Sequence, residues 1–292
     1  MFIESRHTVF RVRKEVGVMT YGVTGLRGLN YDICAYDGSR LKFRGPKCDL
    51  SSPYVAFLGT TETFGKFVAQ PFPTLLTKHL PAAPVNLGMI NCGVDAYLND
   101  PAVLDVARHA DLRVVQVIGA LNLSNHYFKV HPRRNDRFVC ARTALKRLFP
   151  EVDFTEFHFT KAMLAALSHR SDERYKMVCD ELQKIWLARM TVLMKLLGEK
   201  TVLLWFAGNI PPIDAIADLG DPMLIDADMI ERMRALSSAY VEIVPDPLAI
   251  ERDREDMLRT LVSQSAAKQL MGPCAHVQAA QALQETCIHL IR

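Results

Sequence analysis

Pro53-Tyr54-Val55-Ala56-Phe57-Leu58-Gly59-Thr60-Thr61-Glu62-Thr63-Phe64-Gly65 is the stretch that decides the fold. An apolar run of strand length, Tyr54 to Leu58, stops at a glycine. Hydroxyl and carboxylate side chains follow from 60 to 63, and a second glycine closes the segment at 65. Further on, Val85-Asn86-Leu87-Gly88 repeats the pattern of a strand that ends in glycine. Two such strand ends joined by a helix build one rim of an α/β site, because ligands of open α/β sheets bind outside the carboxyl ends of the strands.

Outward from this stretch the alternation continues. Pro71 to His79 reads as a short helix, Pro84 to Leu87 as a second strand and Asp100 to His109 as a helix. Leu112 to Ile118 is a third strand, apolar apart from Arg113 and Gln116. Thr201 to Ala207 and Ala239 to Val244 complete a set of five. Strands that are near-continuous apolar runs, separated by helical stretches, predict a mainly parallel, doubly wound five-stranded sheet in a three-layer α/β sandwich. Residues 53–292 form that domain, and residues 1–52 an N-terminal extension. In the extension, Ile33 to Tyr36 and Ser39 to Phe43 flank Asp37-Gly38, a favoured hairpin dipeptide. A helical insertion occupies about 122–198. Its last part, Glu173 to Leu197, carries apolar residues at helical spacing, with Asp180 and Lys184 placed to pair on the polar face.

Composition bounds the function. The 292 residues are 49% apolar, enough for one large core, and a net charge of +3 argues against binding polyanions across the whole surface. Seven scattered cysteines with no Cys-x-x-Cys pair exclude a disulfide scaffold and a zinc site built from close pairs. The start, Met1 to His7, has no apolar core of signal-peptide length, and no run approaches a membrane span. The expectation is a cytoplasmic protein with reduced thiols, no membrane span and no nucleic-acid partner. There is no Gly-x-x-x-x-Gly-Lys-Ser/Thr loop. Gly22-Val23-Thr24-Gly25-Leu26-Arg27-Gly28 follows no convincing strand, which argues against a dinucleotide fingerprint.

These pieces resemble the SGNH (GDSL-like) hydrolase superfamily over residues 53 to 122 and the last helix. Gly59-Thr60-Thr61 stands where that family has Gly-Asp-Ser. Phe64-Gly65 and Pro71-Phe72-Pro73 follow as they often do in the family. Val85-Asn86-Leu87-Gly88 is similar to the block whose glycine N–H helps to form the oxyanion hole. Gly119-Ala120-Leu121-Asn122 approximates the Gly-x-Asn block, with one additional residue. The resemblance implies ester hydrolysis or acyl transfer, on an acylated carbohydrate for example, without a cofactor. It places Thr61 as nucleophile, with the Thr61 and Gly88 N–H groups and the Asn122 amide as the oxyanion hole; His276 matches a second, usually non-catalytic histidine of the family and is the leading candidate to take over as base.

The departures point another way. Threonine is stiffer and more hindered than serine. The aspartate before the nucleophile has become Thr60. The family's Asp-x-x-His would place its histidine near Gln269 or Leu270, and residues 264–272 hold neither aspartate nor histidine. The alternative is a catalytically degenerate fold that binds an anionic ligand, carboxylated, sulfated or phosphorylated, without cleaving it. Thr60 and Glu62 would contribute from the first rim. The loop after the third strand would add Asn125, His126, His131, Arg133 and Arg134, since guanidinium forks suit such anions. Thr61 also has a plainer reading as a helix-capping threonine, and the loop cations as a solvated surface paired to Asp136 or Glu151. His126 and His131 are alternative bases. As metal ligands they lack a carboxylate or thiol cluster to complete a set. His158 reads as a packing residue. The long helix offers a face for self-association.

Overall fold

The computed structural model describes residues 29–216, 220–256 and 270–291. The Gly22 to Gly28 segment and position 269 lie outside them. Five strands form the central sheet: β1 (Tyr54–Leu58), β2 (Ala83–Asn86), β3 (Leu112–Gln116), β6 (Thr201–Phe206) and β7 (Ala239–Ile243). Their order is β2-β1-β3-β6-β7 and every neighbouring pair is parallel. The expected doubly wound α/β sheet is therefore present.

Both faces of the sheet are covered, which explains the unbroken apolar runs. Ala56, Leu58, Val115, Leu203 and Trp205 point into one core with Leu182, Trp186 and Met190 of the long helix α7 (Asp172–Leu197). Val55, Phe57, Val114, Val202 and Leu204 point into the other, with Phe72 of α2 (Phe72–Leu75) and with Ala279, Leu283 and Cys287 of the last helix, α10 (Pro273–Ile291). The Trp186 indole N–H donates to the Ile118 carbonyl at 2.6 Å, pinning α7 to the chain just beyond β3.

Chain direction across the sheet reverses between β1 and β3. From β1 the chain moves outward to β2, through α1 (Thr61–Phe64) and α2. It then returns past β1 to β3 through α3 (Val94–Leu98) and α4 (Pro101–Arg108). Such a switch point opens a crevice at the strand carboxyl ends. The stretch that opens the sequence lies there. Between β3 and β6 the insertion places α5 (Thr143–Leu148) and α6 (Thr160–Ser168) ahead of α7. Helix α8 (Ala227–Arg234) joins β6 to β7, and α9 (Pro247–Asp256) follows β7.

Three sequence expectations need correction. The Asn122 to Phe138 stretch, expected as a long polar loop, holds β4 (Phe128–Val130) and leads into β5 (Phe138–Ala141), which pairs with it antiparallel. Its buried Phe128, Val130, Phe138 and Ala141 join the core, and that burial outweighs the polar residues between them. Asp180 pairs with Lys176 at 2.7 Å, not with Lys184. His158 is exposed; its backbone carbonyl, not its ring, serves the fold by accepting from Phe138 N. The N-terminal hairpin closes with the reciprocal Cys34–Phe43 backbone pair, at 3.0 Å each way. Arg44 just beyond it donates to the Phe64, Gly65, Val68 and Ala69 carbonyls, so the extension caps the carboxyl end of α1.

Candidate functional site

The rim begins at Gly59. A Cβ there would fall 2.1 Å from Thr63 Oγ1 and 2.6 Å from Gln116 Oε1, closer than real Cβ contacts come, so only glycine lets the strand turn into α1 at this point. The amino end of α1 is capped from another strand. Gln116 Oε1 accepts from Thr60 N (3.2 Å), Thr63 N (3.1 Å) and Thr63 Oγ1 (2.6 Å). Gln116 is one of the two polar exceptions in that strand, and capping is the reason: a helix start leaves N–H groups without partners. Thr60, the residue before α1, makes no side-chain cap bond. The Tyr97 hydroxyl accepts from Gly59 N (2.8 Å) and lies 2.6 Å from Gly59 O and 2.7 Å from Leu87 O. It locks the ends of β1 and β2 together.

Thr61 is buried and its hydroxyl is engaged twice. Oγ1 donates to Asn91 Oδ1 at 3.1 Å and accepts from Asn91 N at 3.0 Å. Asn91 holds a left-handed backbone, φ 53°, which asparagine tolerates better than most residues. The sequence reading missed Asn91; its signal was an asparagine two residues before Gly93 in the turn after β2.

Of the expected oxyanion donors, the Gly88 N–H and one Asn122 amide N–H are engaged. Gly88 N donates to Asn86 Oδ1 at 2.9 Å. Asn122 Nδ2 donates to Asn91 O at 3.1 Å, which leaves Asn122 Oδ1 buried and without a partner among the described residues. Thr61, Asn91 and Asn122 thus form one polar network at the switch point, and the group it leaves unmatched is an acceptor.

His276 is elsewhere engaged. Its ring is fully buried and stacks on Phe72 (centroids 5.8 Å apart, planes 18° apart), with Phe206 edge-on at 5.3 Å. Nδ1 accepts from Phe72 N at 3.1 Å, while Nε2 has no described partner. Burial, with the Arg44 guanidinium adding to it, pushes this imidazole down to about 3, so it is neutral at physiological pH. Among the described residues no hydrogen bond joins His276 to Thr61, so the expected nucleophile–base pair is not formed.

Glu62 is engaged with another segment. Its Oε2 accepts from Met271 N at 3.3 Å, and burial pushes the carboxyl up to about 8, with Asp221 adding repulsion.

The loop after β3 divides into builders and exposed cations. Asn125 is buried and holds its own turn, accepting from Tyr127 N and Phe128 N and donating to Leu123 O. His131 Nδ1 accepts from Arg133 N (3.2 Å) and Arg134 N (3.1 Å). That bond folds a tight turn and leaves both arginine side chains exposed. Asn135, fully buried, accepts from Gly93 N at 3.0 Å and donates to His131 O at 2.9 Å, tying the cationic turn to the segment that carries Asn91. His126 is exposed; its backbone N–H donates to Glu181. Glu151 is paired with Arg174 at 2.7 Å.

No helix among the described residues is long and apolar enough to cross a membrane. No protein of curated function matches the chain in sequence. Among solved structures, the lipase Lip_vut3 from a goat rumen metagenome is similar at 13% identity and a TM-score of 0.39. The match covers 82% of this chain and 97% of that one. A family model matches residues 19–291, nearly the whole length, and on that match the chain belongs to the family described as Domain of unknown function (DUF6473).

Proposed function

We propose that this chain is a catalytically degenerate SGNH-like fold whose rim binds an acidic carbohydrate and does not cleave it. The observation that carries the reading is the state of the acyl-transfer machinery. The Thr61 hydroxyl, the Gly88 N–H and one of the two Asn122 amide N–H groups are each bonded to partners inside the protein. An oxyanion hole works because its donors are already aimed at the developing charge. Freeing three hydrogen bonds of about 1 kcal/mol each would cost some 3 kcal/mol before any chemistry began. It would still leave Thr61 without His276 as its base, since that ring is stacked on Phe72 with Nδ1 taken.

The ligand class follows from what the rim does offer. Asn122 Oδ1 has no described partner but is sealed from solvent as the rim stands, so the contacts on offer begin with the exposed cations. Arg133 and Arg134, held next to that segment through Asn135, offer charge-assisted hydrogen bonds to a carboxylate, sulfate or phosphate. Thermal shift with glucuronate, a sulfated sugar and glucose tests the idea. At a hundred times Kd a ligand adds about 2.7 kcal/mol, which raises the melting temperature by several degrees. The acidic sugars are expected to stabilise and glucose not to, with the gain abolished in the Arg133→Ala/Arg134→Ala protein. Turnover of p-nitrophenyl acetate above background that disappears in Thr61→Ala would refute the reading in favour of hydrolysis.

A further inference from the structure

The basic residues of this chain are unevenly spread. Residues 129–147 hold seven of its 35 lysines and arginines and one of its 32 acids, Asp136. That leaves 28 of the basic and 31 of the acidic side chains elsewhere, so the surplus of +3 comes from this one segment. All seven cations are exposed. None takes part in an ion pair among the described residues. The segments outside the described residues hold three acids in all, Glu4, Glu15 and Asp218, too few to match the seven. Of the acids next along the chain, Glu151 is bonded to Arg174 and Asp153 accepts from Thr155 N.

Folding lines these cations up along one supersecondary unit. Phe128, Val130, Phe138 and Ala141 bury one side of the β4–β5 pair in the core, while Lys129 and Cys140, opposite each other in the ladder, stay exposed. The turn that carries Arg133 and Arg134 is tied to the start of β5, because Arg137 N donates to Arg134 O at 2.9 Å. Arg142 follows the end of β5 and precedes α5. Lys146 lies one turn on, its N–H donating to Arg142 O at 3.1 Å, with Arg147 after it. From Arg137 to Arg142 the extended chain covers about 17 Å at the ordinary strand rise. The first turn of α5 adds about 5 Å. A single sugar held by Arg133 and Arg134 leaves the far end of this strip untouched.

A strip of exposed cations without ion-pair partners, and of that length, suits a chain of anions. Phe159, beside the strip, has its ring under the Arg137 guanidinium at 4.2 Å. It therefore does not present the open face on which bases of a single-stranded nucleic acid stack. The isoelectric point of 8.4 also falls short of the value above about 9 that marks nucleic-acid-binding domains. We infer that the strip from Arg133 to Arg147 docks an acidic polysaccharide, whose successive carboxylates or sulfates pair with the cations along β5 and α5. The inference rests on the acidic-carbohydrate reading and extends it from one sugar to a polymer.

Isothermal titration of the full-length protein with a heparin disaccharide and a heparin octasaccharide tests it. The octasaccharide is expected to bind about a hundredfold more tightly than the disaccharide, since its further anions engage a strip already within reach. Its affinity is expected to fall at least about tenfold between 50 and 200 mM salt, as bound counterions are released. Arg142→Gln/Lys146→Gln/Arg147→Gln is expected to bring the octasaccharide to within about threefold of the disaccharide. The same number of charges removed elsewhere, in Lys184→Gln/Lys195→Gln/Lys200→Gln, is expected to leave the length advantage in place. An octasaccharide no tighter than the disaccharide would overturn the inference, as would equal losses in the two triple variants. Tighter binding of an oligo-dT of matched charge, or of phosphatidylserine vesicles, would overturn it in favour of those partners. Stabilisation by glucuronate without a length advantage sinks the polymer alone, whereas failure of glucuronate and both heparin fragments takes the carbohydrate reading with it.

Discussion

Replacing Glu62 by glutamine should make this protein more stable, and increasingly so as the pH rises. In the fold this carboxyl is buried, is held by one backbone N–H at 3.3 Å and titrates at about 8 instead of its ordinary 4.5. A raised folded-state value means that the native protein keeps a proton that the unfolded chain gives up. The favourable contribution is therefore complete below pH 4.5. It drains away as the pH climbs to about 8 and is level beyond that. The slope in that window is about 1.4 kcal/mol per pH unit, so some 3 kcal/mol is lost between pH 5 and 7 as an upper figure. The glutamine side chain has no proton to lose, and its amide oxygen can still accept from Met271 N. Urea denaturation of both proteins at pH 5, 6, 7 and 8 measures the difference directly. The two should agree within about 0.5 kcal/mol at pH 5, and the variant should lead by about 2–4 kcal/mol at pH 8. Parallel pH profiles would show that the carboxylate is solvated or paired in the native state, and the electrostatic account of Glu62 and Asp221 would fall with them.

His276 acts in the opposite direction. With its folded value lowered to about 3, its contribution is complete above pH 6.5 and is lost as the pH falls from 6.5 toward 3. In His276→Phe, Phe72 N loses its acceptor, so the variant should be weaker at pH 7 by about 1–3 kcal/mol. Its stability should also change less than the parent's between pH 7 and pH 5 in the same urea titration. Gln116→Leu removes the acceptor shared by Thr60 N, Thr63 N and Thr63 Oγ1, and should cost about 2–4 kcal/mol, read as a lower melting temperature. A cost below about 0.5 kcal/mol would mean that water caps α1 equally well. Gly59→Ala, whose Cβ would meet Thr63 Oγ1 at 2.1 Å, should fail to give native protein, and circular dichroism of the purified variant would detect a folded exception.

The fold was legible because its signals are local. A strand covered on both faces is mostly apolar, and Tyr54 to Leu58, Val202 to Phe206 and, apart from Arg113 and Gln116, Leu112 to Ile118 carry that property in their own residues. Helix α7 shows its buried stripe in the spacing of Val178, Leu182, Trp186, Met190 and Leu193. Short helices such as α3 and α8 escaped notice, because a few turns produce too little periodicity to separate from loop. The β4–β5 pair escaped because polar and cationic residues stand between its buried positions.

From sequence alone, this chain can be read as a parallel α/β sheet whose strand ends carry glycines and polar side chains. That much depends on neighbours along the chain. What the polar groups do at the rim was decided by tertiary structure. Asn91 arrives from the end of β2 to take the Thr61 hydroxyl, Gln116 reaches over from β3 to cap α1, and Phe72 N captures the imidazole nitrogen of His276 from 204 residues away. A hydroxyl, an amide and an imidazole carry no mark in sequence of which partner will saturate them. Hydrogen bonding is short-ranged and directional, so the choice between a reactive group and a structural one is made only when the folded chain brings donor and acceptor within about 3 Å.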